Sequence, residues 1–285
     1  FDYIEAISNK SNLLIDDSIK DELAIGDFNV DFHEGAYNIV FKIKFHNKEL
    51  ALRCWKCIDY DDCVALCRRM VRISSELRRT KLPYFIDFKF YERGIVTPKG
   101  IYPLMLMDWV YDLDLKQYIN KNLFNTGKLY TLANNFAIMV ADLHTFQISH
   151  GDLQVSNIKV REDGSLFLID YDTIFIPSLY GDYYKVKGNL CFQHHSRLDN
   201  ELMSPCTDYF SEYIIYFGIL ALANYPQLYT YLDLDKNDFI FTREELYDIS
   251  NSRICKFIYL MNNPKLINLI QRLINAWEAS NISKE

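Results

Sequence analysis

An α+β chain of two lobes is predicted by three features of the sequence: an extended, alternating first third, a helix-rich remainder, and an acidic motif just past their junction. The chain has 285 residues, 49% of them hydrophobic and 15% aromatic, which is enough apolar material for a substantial core and excludes a disordered segment. A cleft between two such lobes is the expected ligand site.

Residues 1–27 carry short, mixed helical signals such as Tyr3-Ile4-Glu5-Ala6-Ile7, and these give no chemical clue. From Val30 the pattern changes. Ile39, Phe41, Ile43 and Phe45 alternate with Val40, Lys42 and Lys44, His46-Asn47-Lys48 reads as a turn, and Leu50-Ala51-Leu52-Arg53 resumes the extended pattern, so a hairpin is predicted. Leu66, Met70, Ile73 and Leu77 then fall at helical spacing among Arg68, Arg69, Arg72, Arg78 and Arg79. Pro83 ends that helix, and strands are predicted over 85–91 and 102–110, separated by the turn Thr97-Pro98-Lys99-Gly100. Beyond Asp112 the pattern is helical, with an amphipathic stretch from Leu129 to Phe146. A second extended pair follows at 158–160 and 166–169 around Glu162-Asp163-Gly164-Ser165, and helices resume after Pro205, ending in a stripe from Leu266 to Trp277. Neither an internal repeat nor a low-complexity linker interrupts this order.

The acidic motif is His150-Gly151-Asp152-Leu153-Gln154-Val155-Ser156-Asn157, followed by Leu166-Phe167-Leu168-Ile169 and Asp170. Asp152 is a candidate proton acceptor, and Asn157 and Asp170 are candidate oxygen ligands for a hard cation. Phosphoryl transfer from ATP asks for that combination. Its loose transition state is served by positioning, by Mg2+ across the phosphates and by an acceptor for the hydroxyl proton. Taken singly, each aspartate reads as a turn or cap residue. Their joint spacing, with an apolar strand before Asp170, points to a nucleotide site.

A net charge of -7 argues against nonspecific nucleic-acid binding, which needs an electropositive face. The longest apolar runs, such as Tyr213 to Ala223, are too short to span a bilayer, and the start of the chain does not read as a signal peptide. An opening Phe1 suggests a processed or excised piece of a longer protein. Seven cysteines without a regular framework suit a reducing compartment, and the cytoplasm is expected. Cys54, Cys57, Cys63 and Cys67 fall on a strand-plus-helix pattern that would splay their thiols, so they read as buried thiols ahead of a zinc or redox site. His144 and His150 read as packed, hydrogen-bonded residues, and His194 and His195 lack an apparent third metal ligand.

In their order along the chain, these pieces resemble the protein-kinase superfamily, in particular a divergent bacterial branch of the eukaryotic-like serine/threonine kinases. Leu143-His144-Thr145-Phe146-Gln147-Ile148-Ser149-His150-Gly151-Asp152-Leu153 is similar to the end of that family's long helix entering its catalytic loop, and Asp170-Tyr171-Asp172 to its metal-binding tripeptide. The resemblance implies a bilobal fold with a small antiparallel first lobe (1–107, with an N-terminal extension) and a mainly helical second lobe (108–285), hinged near 107–111. It implies ATP and Mg2+ as cofactors, Asp152 as catalytic base, Asn157 and Asp170 as magnesium ligands, and backbone groups of Met107, Asp108, Trp109 and Val110 around adenine. Glu34-Gly35-Ala36-Tyr37-Asn38 is similar to the phosphate-covering loop, Arg53 stands at the place of the strand lysine, and Glu76 is the acidic residue placed to pair with it. Gly188-Asn189-Leu190-Cys191-Phe192-Gln193-His194-His195 resembles the end of an activation segment, and Asp208-Tyr209-Phe210-Ser211 the start of the helix whose aspartate braces the catalytic loop.

The chain departs from that family where phosphates are handled. Arg53 replaces a compact ammonium by a planar fork, Gln154 stands where a cation is common, and only Gly35 remains of three loop glycines. Gly151 replaces the arginine that would read a phosphorylated activation segment, so activity is not expected to be switched that way. Three functions follow as expectations: a kinase acting on Ser or Thr hydroxyls of a protein, a pseudokinase that senses nucleotide or binds a protein partner, and, behind both, a small-molecule kinase.

Overall fold

A computed structural model of the chain describes residues 3–21, 23–24, 31–35, 37–56, 60–183, 186–199 and 202–279; Val30, Ala36 and Cys57 lie outside them. The chain divides into two compact units, Phe1–Tyr111 and Asp112–Glu285.

The first unit carries helices α1 (Tyr3–Ile7) and α2 (Asp17–Lys20), then strands β1 (Leu23–Ala24), β2 (Phe32–Glu34), β3 (Asn38–Phe45) and β4 (Lys48–Trp55). Helix α3 (Tyr60–Thr80) and strands β5 (Phe88–Thr97) and β6 (Gly100–Asp108) complete it. These strands form one antiparallel sheet in the order β1-β3-β4-β6-β5, with β2 also paired to β3. The predicted hairpin is β3–β4, closed where Phe45 pairs with Lys48, and His46 in its turn has φ of 51°.

Period-two alternation sends Ile39, Phe41 and Ile43 of β3 and Leu50, Leu52 and Cys54 of β4 into one apolar cluster. Tyr3, Ile7 and Leu13 join that cluster, so the N-terminal stretch covers a sheet face, and the Tyr3 hydroxyl donates to the Trp55 carbonyl at 2.6 Å. Of the stripe read from its spacing, helix α3 buries Met70, Ile73 and Leu77 and leaves Leu66 half-buried, and it packs along β5 and β6. Strand β5 runs past the predicted 85–91 because its ladder tolerates a bulge between Tyr91 and Ile95 on the sheet edge. Gly94 sits in that bulge against the Leu104 side chain, with no room for a Cβ.

The second unit begins with β7 (Leu113–Asp114), α4 (Leu115–Lys121) and α5 (Thr126–Thr145), followed by strands β8 (Ile158–Val160) and β9 (Leu166–Leu168). Helices α6 (Ser196–Asp199), α7 (Tyr209–Asn224), α8 (Leu228–Tyr231), α9 (Arg243–Leu246), α10 (Arg253–Met261) and α11 (Pro264–Glu278) complete it. Asp114 opens α4 with a capping box: its Oδ1 accepts from the Gln117 amide at 2.8 Å while Gln117 Oε1 accepts from the Asp114 amide at 3.0 Å.

Helix α7 packs against both α5 and α11 and is apolar nearly all round, as a central helix must be. His144 of α5 hydrogen-bonds both oxygens of Glu212 of α7 at 3.1 and 3.0 Å, and that carboxylate raises the imidazole above its ordinary range. The β7-β8-β9 sheet turns at Asp163, whose Oδ1 accepts from the Ser165 amide at 2.9 Å, with Gly164 at φ of 84°. Among the described residues no helix is long and apolar enough to cross a membrane.

Candidate active site

The 150–157 loop is held from two sides. Behind it, Asp208 at the start of α7 is buried, and its carboxylate accepts the backbone N–H groups of His150 and, at 2.9 Å, Gly151. Burial pushes the Asp208 carboxyl above its usual range, against the pull of those donors. Beside it, His150 Nε2 donates to the Ile169 carbonyl at 2.8 Å, which places the ring hydrogen on Nε2, and Thr173 Oγ1 donates to the His150 carbonyl at 2.8 Å. His150 of the loop, like His144 of α5, is therefore packed and hydrogen-bonded.

Gly151 has φ of 78°, and a Cβ there would run into the Thr173 carbonyl and come within 2.5 Å of Met203 Cε. The backbone thus accepts glycine alone, and an arginine at this place would require the loop to move. We expect Gly151→Ala to lower stability by about 1–3 kcal/mol through backbone strain and overlap, read as a shift in the urea midpoint.

Asp152 is half-buried. Its Oδ1 accepts from the Asn189 backbone amide at 2.7 Å, and its Oδ2 from Gln154 Nε2 at 2.9 Å and Asn157 Nδ2 at 3.2 Å. Asn157 Nδ2 also donates to the Asp152 carbonyl at 2.9 Å, leaving Asn157 Oδ1 without a hydrogen bond among the described residues. The Ile169 amide donates to the Asn157 carbonyl at 3.0 Å, which continues the β8–β9 ladder and brings the residue before Asp170 alongside Asn157. Asp170 itself is left-handed, at φ 69° and ψ 73°. One loop therefore gathers Asp152 and Asn157, the candidate base and candidate amide ligand, and the strand tied to it leads into Asp170, the candidate carboxylate ligand.

That donor set suits Mg2+, which takes one or two carboxylates and keeps several waters. No group of three or more His, Cys, Asp or Glu side chains among the described residues is placed to hold a metal ion. His194 and His195 instead both donate to the Trp277 carbonyl, at 3.1 and 2.9 Å. Cys54 and Cys67 are buried and Cys63 half-buried, and burial raises the Cys67 thiol to about 11, which disfavours its reactive thiolate.

In the first unit, Arg53 lies on the β4 face opposite Leu52 and Cys54, buried, with its guanidinium carbon 5.6 Å from the Trp55 ring centroid. Glu76, expected opposite Arg53, instead binds Arg79 of its own helix at 2.5 Å. A guanidinium three residues away on the same helix is already within reach, and that local pair prevails. The Gly35 amide donates to the Asn38 carbonyl at 2.9 Å, and its carbonyl accepts from Lys56 Nζ at 2.8 Å. Met107 and Asp108 end β6, where Met107 pairs with Ala51 and Phe88 and Asp108 with Leu50. The Trp109 amide is taken by the Glu49 carbonyl at 2.9 Å, and Val110 follows half-buried.

Compared with known proteins, the sequence matches no family model and no curated protein. Among solved structures, the fold is similar to that of the kinase PK-1 of the Cydia pomonella granulovirus, with a TM-score of 0.57 and 16% identity over 92% of this chain and 90% of that one. The chain has a protein-kinase-like fold. Its antiparallel first unit and helical second unit are the two lobes of that kinase-like architecture.

Within the kinase-like fold, one contributor to the site escaped the sequence reading. Asn189 belongs to the stretch that resembles the end of an activation segment, and its backbone amide is a donor to Asp152. A backbone N–H belongs to every residue but proline, so no side-chain pattern announces it. The local signal was Gly188, at φ of 75°.

Proposed function

We propose that this chain is an ATP- and Mg2+-dependent phosphotransferase that acts on Ser or Thr hydroxyls of a protein. The observation that carries the reading is the dressing of Asp152. A carboxylate offers about four acceptor sites, and three are filled here by neutral N–H donors. One remains for a hydroxyl proton. Asn157 Oδ1 and the Asp170 carboxylate supply oxygen ligands for Mg2+ next to that base, and the granulovirus relative is itself a kinase. Magnesium would bridge the phosphates and offset the charge that develops on them. The adenine and phosphate contacts expected of Gly35, Arg53 and residues 107–110 rest on the family resemblance.

A pseudokinase is the second reading, and a specific observation favours it. The amides of Gly35 and Trp109 are hydrogen-bonded within their own unit, and Glu76 is paired with Arg79. The test is transfer of the labelled terminal phosphate of ATP to the protein itself and to a generic acceptor protein, with and without Mg2+. Magnesium-dependent labelling of serine or threonine, mapped by mass spectrometry, is the expected result. A nucleotide-induced rise in melting temperature with no transfer to any acceptor would establish the pseudokinase instead.

A further inference from the structure

Gln154 is the residue whose place the sequence reads as a missing cation. In the structure it is a bridge: its Nε2 donates to Asp152 Oδ2 at 2.9 Å and its Oε1 accepts from Asn189 Nδ2 at 3.1 Å. We propose that Gln154 and Asn189 form a two-amide relay that positions the Asp152 carboxylate for proton transfer, so that the amide of Gln154 is required and a cation there is not. This deepens the phosphotransfer reading above and rests on it.

The orientation of Asn189 is fixed by its surroundings. Its Oδ1 accepts from the Cys191 amide at 2.9 Å, and its Nδ2 faces Asp238 Oδ2 at 3.3 Å as well as Gln154. Turning the Asn189 amide over would set an NH2 group against the Cys191 N–H and an oxygen against the Asp238 carboxylate. Residue 154 must therefore accept from Asn189 and donate to Asp152 at the same time. A glutamine amide does both. Lysine has donors only, and an ionised glutamate has acceptors only.

The backbone closes the same clamp from the other side. The Asn189 N–H donates to Asp152 Oδ1 at 2.7 Å, and a Cβ on Gly188 would lie 2.5 Å from that oxygen. The 188–189 strap reaches the carboxylate only because Gly188 carries no side chain. Asp152 thus meets one donor from the strap, one from Gln154 and one from Asn157, all uncharged. Its carboxylate plane is set from both ends, and the orientation of the acceptor for an incoming hydroxyl is set with it.

The experiment compares the full chain with Gln154→Lys and Gln154→Glu by steady-state kinetics with ATP, Mg2+ and an acceptor protein. Both variants should lose kcat by roughly tenfold to a hundredfold with KM for ATP unchanged, because a misaimed base slows the chemical step without touching nucleotide. A lysine variant that matches or exceeds the wild-type kcat overturns the relay. In parallel, NMR follows the Asn189 side-chain NH2 resonances and the exchange rate of its backbone N–H. Both variants should shift the former and speed the latter. Should the wild-type chain transfer no phosphate at all, the phosphotransfer reading fails on that result alone. The NMR comparison then decides the relay, and unchanged Asn189 signals in both variants overturn it.

Discussion

Asp152→Asn should lower phosphate transfer by on the order of 10²–10⁴-fold, the usual contribution of a positioned general base, while nucleotide still raises the melting temperature. Asparagine keeps the shape but removes the acceptor, and its NH2 group must face either the Asn189 N–H or the amides of Gln154 and Asn157. Both the proton acceptor and its alignment are lost together. Nucleotide binding should be spared because Asn157 Nδ2 keeps its bond to the residue 152 carbonyl, so the Asn157 side of the loop stays in place. Initial rates and thermal shifts with ATP and Mg2+ check the two halves of this expectation. A variant with near-wild-type transfer would show that the hydroxyl proton goes elsewhere.

Asp208→Ala should be the most damaging substitution for stability. Two buried backbone N–H groups, those of His150 and Gly151, lose their acceptor, the only one among the described residues, and each orphaned donor costs about 1–3 kcal/mol. Burial also denies them water as a substitute, since Asp208 is 1% exposed. A marked fall in urea midpoint is expected, with accelerated hydrogen exchange at His150 and Gly151. Transfer should fall in the surviving folded fraction as well, because the same two amides set the entry to Asp152. An unchanged midpoint would mean that the loop is held by its bonds to Ile169 and Thr173 alone.

Much of this fold was legible because its signals are local. The alternation of Ile39, Phe41 and Ile43, the turn at His46-Asn47-Lys48 and the stripe of Met70, Ile73 and Leu77 each depend on residues near one another in sequence. The candidate site was legible for the same reason: Asp152 and Asn157 sit on one short loop, and Asp170 follows the strand paired beside it. What stayed hidden is contact made from afar or by backbone. The Asn189 N–H crosses 37 residues to reach Asp152. The length of β5 was obscured because Glu92-Arg93-Gly94 reads as a break, whereas the edge of a sheet absorbs it as a bulge. Glu76 was assigned a distant partner when Arg79, three residues on, was the nearer competitor.

The left-handed backbone at Asp170 has a further meaning. An L-residue with a Cβ gives up roughly 1–2 kcal/mol in that conformation, and glycine would recover most of it. The second unit therefore folds below the stability optimum open to it by a single substitution, and ~1 kcal/mol is about a fivefold change in the ratio of folded to unfolded molecules. On the phosphotransfer reading, the carboxylate that this left-handed turn carries is what the chain gains in exchange for that thermodynamic reserve.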